Sequence, residues 1–365
     1  MSPGIWHWCC CGGQFGDFDA AIIGRANADS KKVVLSSIGG SGTLESEAVT
    51  VAVDAQYIAI TRETDGTPAF VFAGGPAVPS MYLALWEPFA AEWQFSSVYS
   101  VVSQNRQLEL TSTDAYVMTV DKFFSTDNYY YKLSGGWTTV LLTDADVSST
   151  LKIAAQPGTG DVFGVATSGT ALWYGKGAGT WESIQTTAEG WGGVTWSGGI
   201  SFAADATPFA ISCAYPGEDP GNPAHAMVYV YERTGAGAWT EHAVTGSTMS
   251  AIGTNVDIAI DKDGGIHVIW AEIGGDLRWM YGYSAEDAWD WDTEAIGLIA
   301  DLGSDAKMVC NRAGLPEVLF KPLANGDQMI AAIRSGRTWM FGETSYVGGF
   351  DASYWDIAEY PIWVP

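Results

Sequence analysis

From Asn255 to Ile296 the chain alternates between short apolar runs and polar turns. Val256, Ile258 and Ile260 alternate with polar or small residues. DKDGG then turns the chain, and Ile266 to Ala271 returns as an aromatic-rich apolar run. That is the pattern of a β-hairpin. A third strand is predicted over Leu277 to Tyr283, and a fourth opens at Trp289 after the polar turn SAEDA. Four strands in about 40 residues is the content of one propeller blade.

The pattern recurs. A Trp preceded by a small or polar residue opens the predicted fourth strand at Trp93, Trp137, Trp181, Trp239, Trp289 and Trp339, with spacings of 44, 44, 58, 50 and 50 residues. Upstream of each marker the hairpin returns, as YIAIT/PAFVFA, LELT/AYVMTV, LKIAA/DVFGVA, ISFAA/PFAISCA, DIAI/IHVIWA and KMVC/PEVLF. The third strands follow as MYLALWE, NYYYKL, ALWYGK, AMVYVYE, LRWMYGY and QMIAAIR. Turn-forming sequences such as QPGTG and DKDGG join the hairpin arms.

The expected fold is therefore all-β: a single β-propeller over residues 17–365 behind a short N-terminal arm, residues 1–16. Six complete four-stranded blades are predicted at about 47–98, 99–143, 144–187, 188–246, 247–297 and 298–348. Strands within 18–38 and 353–364 flank them, with GGSGTLESE read as a flexible connection. Pairing the two ends in a seventh, composite blade would remove the exposed edges of a linear array. The alternative is six blades with the terminal strands packed outside.

Composition supports this picture and narrows the partners. Of 365 residues, 47% are hydrophobic and 44 are Gly, and no stretch has a convincing 3.6-residue apolar period. Lys and Arg total 17 against 42 Asp and Glu, a formal charge of −25. Such a surface should repel nucleic acid and anionic lipid. No apolar run is long enough to insert into a membrane, and the first residues carry neither a basic nor an apolar export region.

The arm has its own chemistry. His7, Cys9, Cys10 and Cys11 stand within five positions. Successive side chains of an extended segment point to opposite faces, so a zinc ion or iron–sulfur cluster here would need ligands from neighbouring subunits of a homo-oligomer or larger assembly. Cys213 and Cys310 fall on separate predicted strands and are expected to be free.

The fourth blade is the longest. Its extra residues are TAEGWGGVTWSGG before the first strand and PGEDPGNPAH between the second and third, two connections expected on the same face of a propeller. Trp191, Trp196 and Tyr215 with Glu218, Asp219 and His225 would set aromatic platforms beside polar groups, a mixture suited to sugar rings. Asp261 and Asp263 in DKDGG resemble the start of a calcium loop, but the later ligands of an EF-hand do not follow. A plain β-turn is the expectation there.

The blade pattern, a Gly-rich turn with a Trp near the blade end, resembles the repeats of the fucose-binding lectin propellers and the sialidase-like propellers. The lectin resemblance implies an Arg on the third strand with a Glu beside it; only Arg278 and Arg334 stand near that place. The sialidase resemblance implies an arginine triad, yet Arg62, Arg106, Arg233, Arg278, Arg312, Arg334 and Arg337 occupy dissimilar positions in their blades, and no Ser-x-Asp-x-Gly-x-x-Trp box is found. The expected function is non-enzymatic: a structural or adhesion component of a virus particle, a phage tail, fibre or capsid decoration. It would be joined to other virion proteins through the arm and present the propeller to a host-surface glycan or protein. A lectin free of the virion, secreted or cytoplasmic, and a glycoside hydrolase are the alternatives.

Overall fold

In the computed structural model, the described residues are 21–26, 29–38, 44–62, 68–74, 80–87, 89–90, 92–100, 105–112, 116–122, 128–133, 137–141, 150–157, 159, 161–168, 171–176, 181–184, 194–214, 227–244, 252–272, 276–283, 292–298, 306–310, 314–320, 329–335, 338–343 and 350–358. They form an all-β β-propeller.

The first strands are Ala21–Ala26 (β1), Lys32–Ile38 (β2) and Leu44–Thr50 (β3). Next come Ala55–Arg62 (β4), Pro68–Gly74 (β5), Ser80–Glu87 (β6) and Glu92–Ser100 (β7), then Asn105–Ser112 (β8), Tyr116–Lys122 (β9), Asn128–Leu133 (β10) and Trp137–Leu141 (β11). Thr150–Ala155 (β12), Val162–Ser168 (β13), Ala171–Gly175 (β14) and Glu182–Ile184 (β15) precede Val194–Phe202 (β16), Pro208–Ala214 (β17), Met227–Gly235 (β18) and Ala238–Ala243 (β19). The last three groups are Ile252–Ile260 (β20), Gly265–Glu272 (β21), Asp276–Tyr283 (β22) and Asp292–Leu298 (β23); Ala306–Cys310 (β24), Pro316–Phe320 (β25), Ile330–Ser335 (β26) and Thr338–Glu343 (β27); and Phe350–Ala358 (β28).

These strands make seven four-stranded antiparallel sheets among the described residues. Six follow chain order. The remaining sheet has the order β28-β1-β2-β3, so a strand from the far end of the sequence pairs with strands from the beginning. Contacts between β28 and β4, β4 and β8, β8 and β12, and onward through β24 back to β28 run round a closed circuit. The first strand of each sheet, and β28 in the composite one, is therefore the inner strand.

LESEAVT is strand β3, paired with β2 from Lys32↔Thr50 to Ile38↔Leu44, where a flexible connection was expected. The complete sheet that follows accordingly starts at Ala55.

Packing explains the apolar runs. Each sheet lies between two neighbours, so second strands are buried on both faces: Pro316–Phe320 is buried throughout, and Ala69 to Ala73 likewise. On β20, Val256, Ile258 and Ile260 join a core with Phe209, Ile211, Val228 and Val230 of the preceding sheet. Ala259, between them, joins a different core with Met308, Val318 and Phe320 of the following one. A strand with period-two side chains thus serves two cores at once.

The hairpin tips repeat too. Asp261 N–H donates to Gly265 O and Gly264 N–H to Asp261 O, closing a tight turn with Gly264 at φ 85°. The tip of the preceding sheet makes the same bonds, Ala203 to Thr207 and Ala206 to Ala203, with Ala206 at φ 69° in the glycine position.

Candidate functional site

The best-defined polar cluster joins two sheets. Glu182 opens β15, the outer strand of its sheet, and its carboxylate receives four donors from the next sheet's β18–β19 hairpin. Arg233 Nε and Nη2 donate to Oε1 and Oε2 at 2.7 and 3.1 Å, Trp239 Nε1 donates to Oε1 at 2.9 Å, and Gly237 N–H donates to Oε2 at 2.9 Å. The Arg233 guanidinium also lies 5.5 Å from the Tyr174 ring of β14, and Trp239 meets that ring edge-on at 5.1 Å. Partial burial alone would raise the Glu182 carboxyl, but the Arg233, Gly237 and Trp239 bonds outweigh it and hold it below the usual range. Burial pushes the Tyr174 phenol up, out of its ordinary range.

A second cluster has the same plan two sheets further on. Arg334 of β26 sits 4.1 Å over the Trp279 ring of β22, and Trp339 of β27 meets Trp279 edge-on at 5.7 Å. Register places Arg233 opposite Trp239 and Arg334 opposite Trp339. In both clusters the end of a third strand and the marker Trp together grip an aromatic ring of the preceding sheet. Beneath Trp279 lies His267, stacked at 5.8 Å. His267 Nε2 lies 3.1 Å from Asp261 Oδ2, while Asp261 Oδ1 accepts from Asp263 and Gly265 N–H at 2.8 Å each. Burial holds the His267 imidazole below its usual range against the pull of Asp261, while the bonds from His267, Gly265 and Asp263 outweigh burial and hold the Asp261 carboxyl below its own. Asp261 is thus the keystone of the tip, with its oxygens turned to internal donors instead of a calcium ion.

On the inner wall, Asp257 of β20 accepts from Met308 N–H of β24 and from Ile258 N–H, each at 2.9 Å. Burial pushes its carboxyl up to about 6, opposed by those two bonds and by the charges of Lys152 and Lys307. A Cβ on Gly199 of β16 would come within 2.8 Å of Asp257 Oδ1.

Of the residues singled out for sugar binding, only Trp196 is among those described. Trp191, Tyr215, Glu218, Asp219 and His225 lie outside the described residues, as do His7, Cys9, Cys10, Cys11 and marker Trp289. Trp196 was expected in a loop and instead lies within β16, opposite Cys213. The reason is that β16 absorbs extra residues as irregularities, between Val194 and Trp196 and between Ser197 and Gly199, without leaving the sheet. Cys310 is fully buried on β24. Arg62, Arg106, Arg233, Arg278 and Arg334 stand on five different sheets. Among the described residues no group of three or more His, Cys, Asp or Glu is placed to hold a metal ion, and no helix is long and apolar enough to cross a membrane.

No family model matches the chain, and no curated protein matches it in sequence. Solved structures do match in shape. A protein from Bacteroides uniformis assigned provisionally as a 6-phosphogluconolactonase superposes with TM-score 0.61 at 12% identity, over 93% of this chain and 99% of that one. A streptogramin B lyase gives 0.53 at 13% identity over 82% and 86%. AofleA from Arthrobotrys oligospora gives 0.50 at 13% identity over 84% and 89%. At such identities the likeness is one of fold alone, and the fold is a β-propeller.

Proposed function

We propose that the seven sheets are the blades of one closed ring and that the ring works by binding, as a non-enzymatic structural or adhesion module. The observation that carries this reading is the use made of two of the carboxylate pairs among the described residues. Glu182 with Arg233, and Asp261 with His267, are each turned to donors inside the protein, and their geometry ties neighbouring sheets or closes a hairpin tip. Groups so engaged hold architecture and are poorly placed to exchange protons with a substrate.

The setting that fits an acidic propeller carrying a Cys- and Trp-rich arm is a virus particle, with the arm joined to other virion proteins and the fourth-blade face turned to a host glycan or protein. His7 and Cys9 to Cys11 of several subunits would share zinc or an iron–sulfur cluster. The first test measures mass and metal content of the native assembly, prepared without chelator, before and after Cys9, Cys10 and Cys11 are changed to Ser. Near-stoichiometric metal, with assembly lost in the variant, is the expected result. A metal-free particle indifferent to the change would sink the anchoring role. For the binding face, a glycan array should respond to the wild type and weaken with Trp191→Ala. Turnover of a glycoside that disappears in Glu218→Ala would replace the binding reading with a hydrolase.

A further inference from the structure

Four inner strands carry a matched row of residues. Lys152 on β12, Gly199 on β16, Asp257 on β20 and Lys307 on β24 each stand three pairs back from the last pair of their own hairpin, opposite Val165, Ile211, Ile269 and Leu319. The positions are therefore equivalent in four consecutive sheets. The charged side chains leave their strands toward the following sheet. Asp257 reaches Met308 there, Lys307 stands between Ala306 and Met308, which both face back, and Lys152 is paired with Val165, whose core includes Ile200 and Phe202 of β16.

Lys152, Asp257 and Lys307 are half-buried. An inner strand has neighbouring sheets on its faces and its second strand along one edge, so the exposure it keeps is to the space the ring encloses. Gly199 keeps part of that space open, since a Cβ there would crowd Asp257 Oδ1. Lys152, two sheets back from Asp257, acts on it together with Lys307, both drawing its carboxyl down against burial. From the other elements packed around Asp257, β16 brings Gly199 and β21 brings Ile269, neither of them charged. Both Asp257 oxygens accept backbone N–H groups, so the carboxylate is fixed in place. Two ammoniums against one carboxylate leave a positive excess, in a chain whose formal charge is −25.

We propose that the inner wall at Lys152, Asp257 and Lys307 binds a small monocarboxylate, its oxygens taken by the two lysine ammoniums while Asp257 limits the site to one further negative charge. A monoanion neutralises the excess, a dianion exceeds it and a cation is repelled. The occupant is small because inner strands surround it. This site uses the closed circuit of inner strands and stands apart from the arm and from the fourth-blade face.

The test follows the acetate methyl signal by saturation-transfer difference NMR with the full chain, at constant ionic strength, at about pH 7.5 and about pH 5.5. Acetate should bind the wild type, and several-fold more tightly at the lower pH, where Asp257, pushed up to about 6, has largely lost its charge. Lys152→Gln and Lys307→Gln should each weaken binding about tenfold or more, whereas Lys262→Gln, at an exposed hairpin tip, should leave it unchanged. Asp257→Asn should bind more tightly at the higher pH and lose the pH dependence, a gain that misfolding cannot produce. Circular dichroism melts matching the wild type establish that the lysine variants fold. Acetate that fails to bind at either pH overturns the proposal. So does binding that survives both lysine changes together, or tighter binding of sulfate than of acetate at the higher pH.

Discussion

Ala206 takes a left-handed conformation at φ 69° in the tip position that Gly264 and Gly314 fill elsewhere. A Cβ there is strained, so Ala206→Gly should stabilise the protein by roughly 0.5–1 kcal/mol, and Gly264→Ala should cost about as much, both read from urea unfolding midpoints. Charge predictions run in opposite directions for two acids. Glu182 is held below its ordinary pKa, so its contribution is complete above the unfolded value and is lost as pH falls through the folded one. Glu182→Ala should remove that acid sensitivity and cost about 1–3 kcal/mol at neutral pH, since it strands four donors at a partly exposed site. Asp257, raised to about 6, binds its proton more tightly when folded. Its share of stability therefore grows as pH drops from 7 toward 5, and unfolding midpoints in Asp257→Asn should lack that rise. Neither acid stood out in the sequence. A Glu after one marker Trp and an Asp on an apolar strand have meaning only once the next sheet supplies Arg233 or Met308, and a single strand pattern does not say which neighbours close on it.

The strand pattern itself was legible because it is a local property. Period-two apolar runs, turn residues and the marker Trp spacing located six sheets, each within several residues of its observed bounds, and the marker role of Trp93, Trp239 and Trp339 as packing between sheets is what the cores show. What the pattern missed lay where charge interrupts it or bulges stretch it. Glu45 and Glu47 hid β3, and the irregularities of β16 made Trp196 look like a loop residue. A marker Trp can be tested directly. Trp239→Phe keeps a ring against Tyr174 but deletes the Nε1 donor to Glu182, and should cost roughly 1–2 kcal/mol; Trp239→Ala also empties the site between sheets and should cost about 3 kcal/mol or more, measured by the same unfolding series.

For the whole molecule, the charge of −25 spread over one ring is a cost that salt reduces. Raising ionic strength from about 0.01 to 0.5 M shortens the screening length several-fold and should lift the melting temperature by a few degrees, on the order of 2–5 °C. A protein whose internal ion pairs carried its stability would instead melt earlier as salt is added. The composite sheet sets a clock of a different kind. β28, residues Phe350–Ala358, supplies the inner strand of a sheet whose other three strands are Ala21–Ala26, Lys32–Ile38 and Leu44–Thr50. During synthesis at about 5–20 residues per second, those three strands wait on the order of 15–65 s for their partner. Throughout that time β1 has an unpaired margin, with apolar Ile23 on it and Val33 beside it on β2. A cell making this protein must keep that margin from strangers until the last strand arrives.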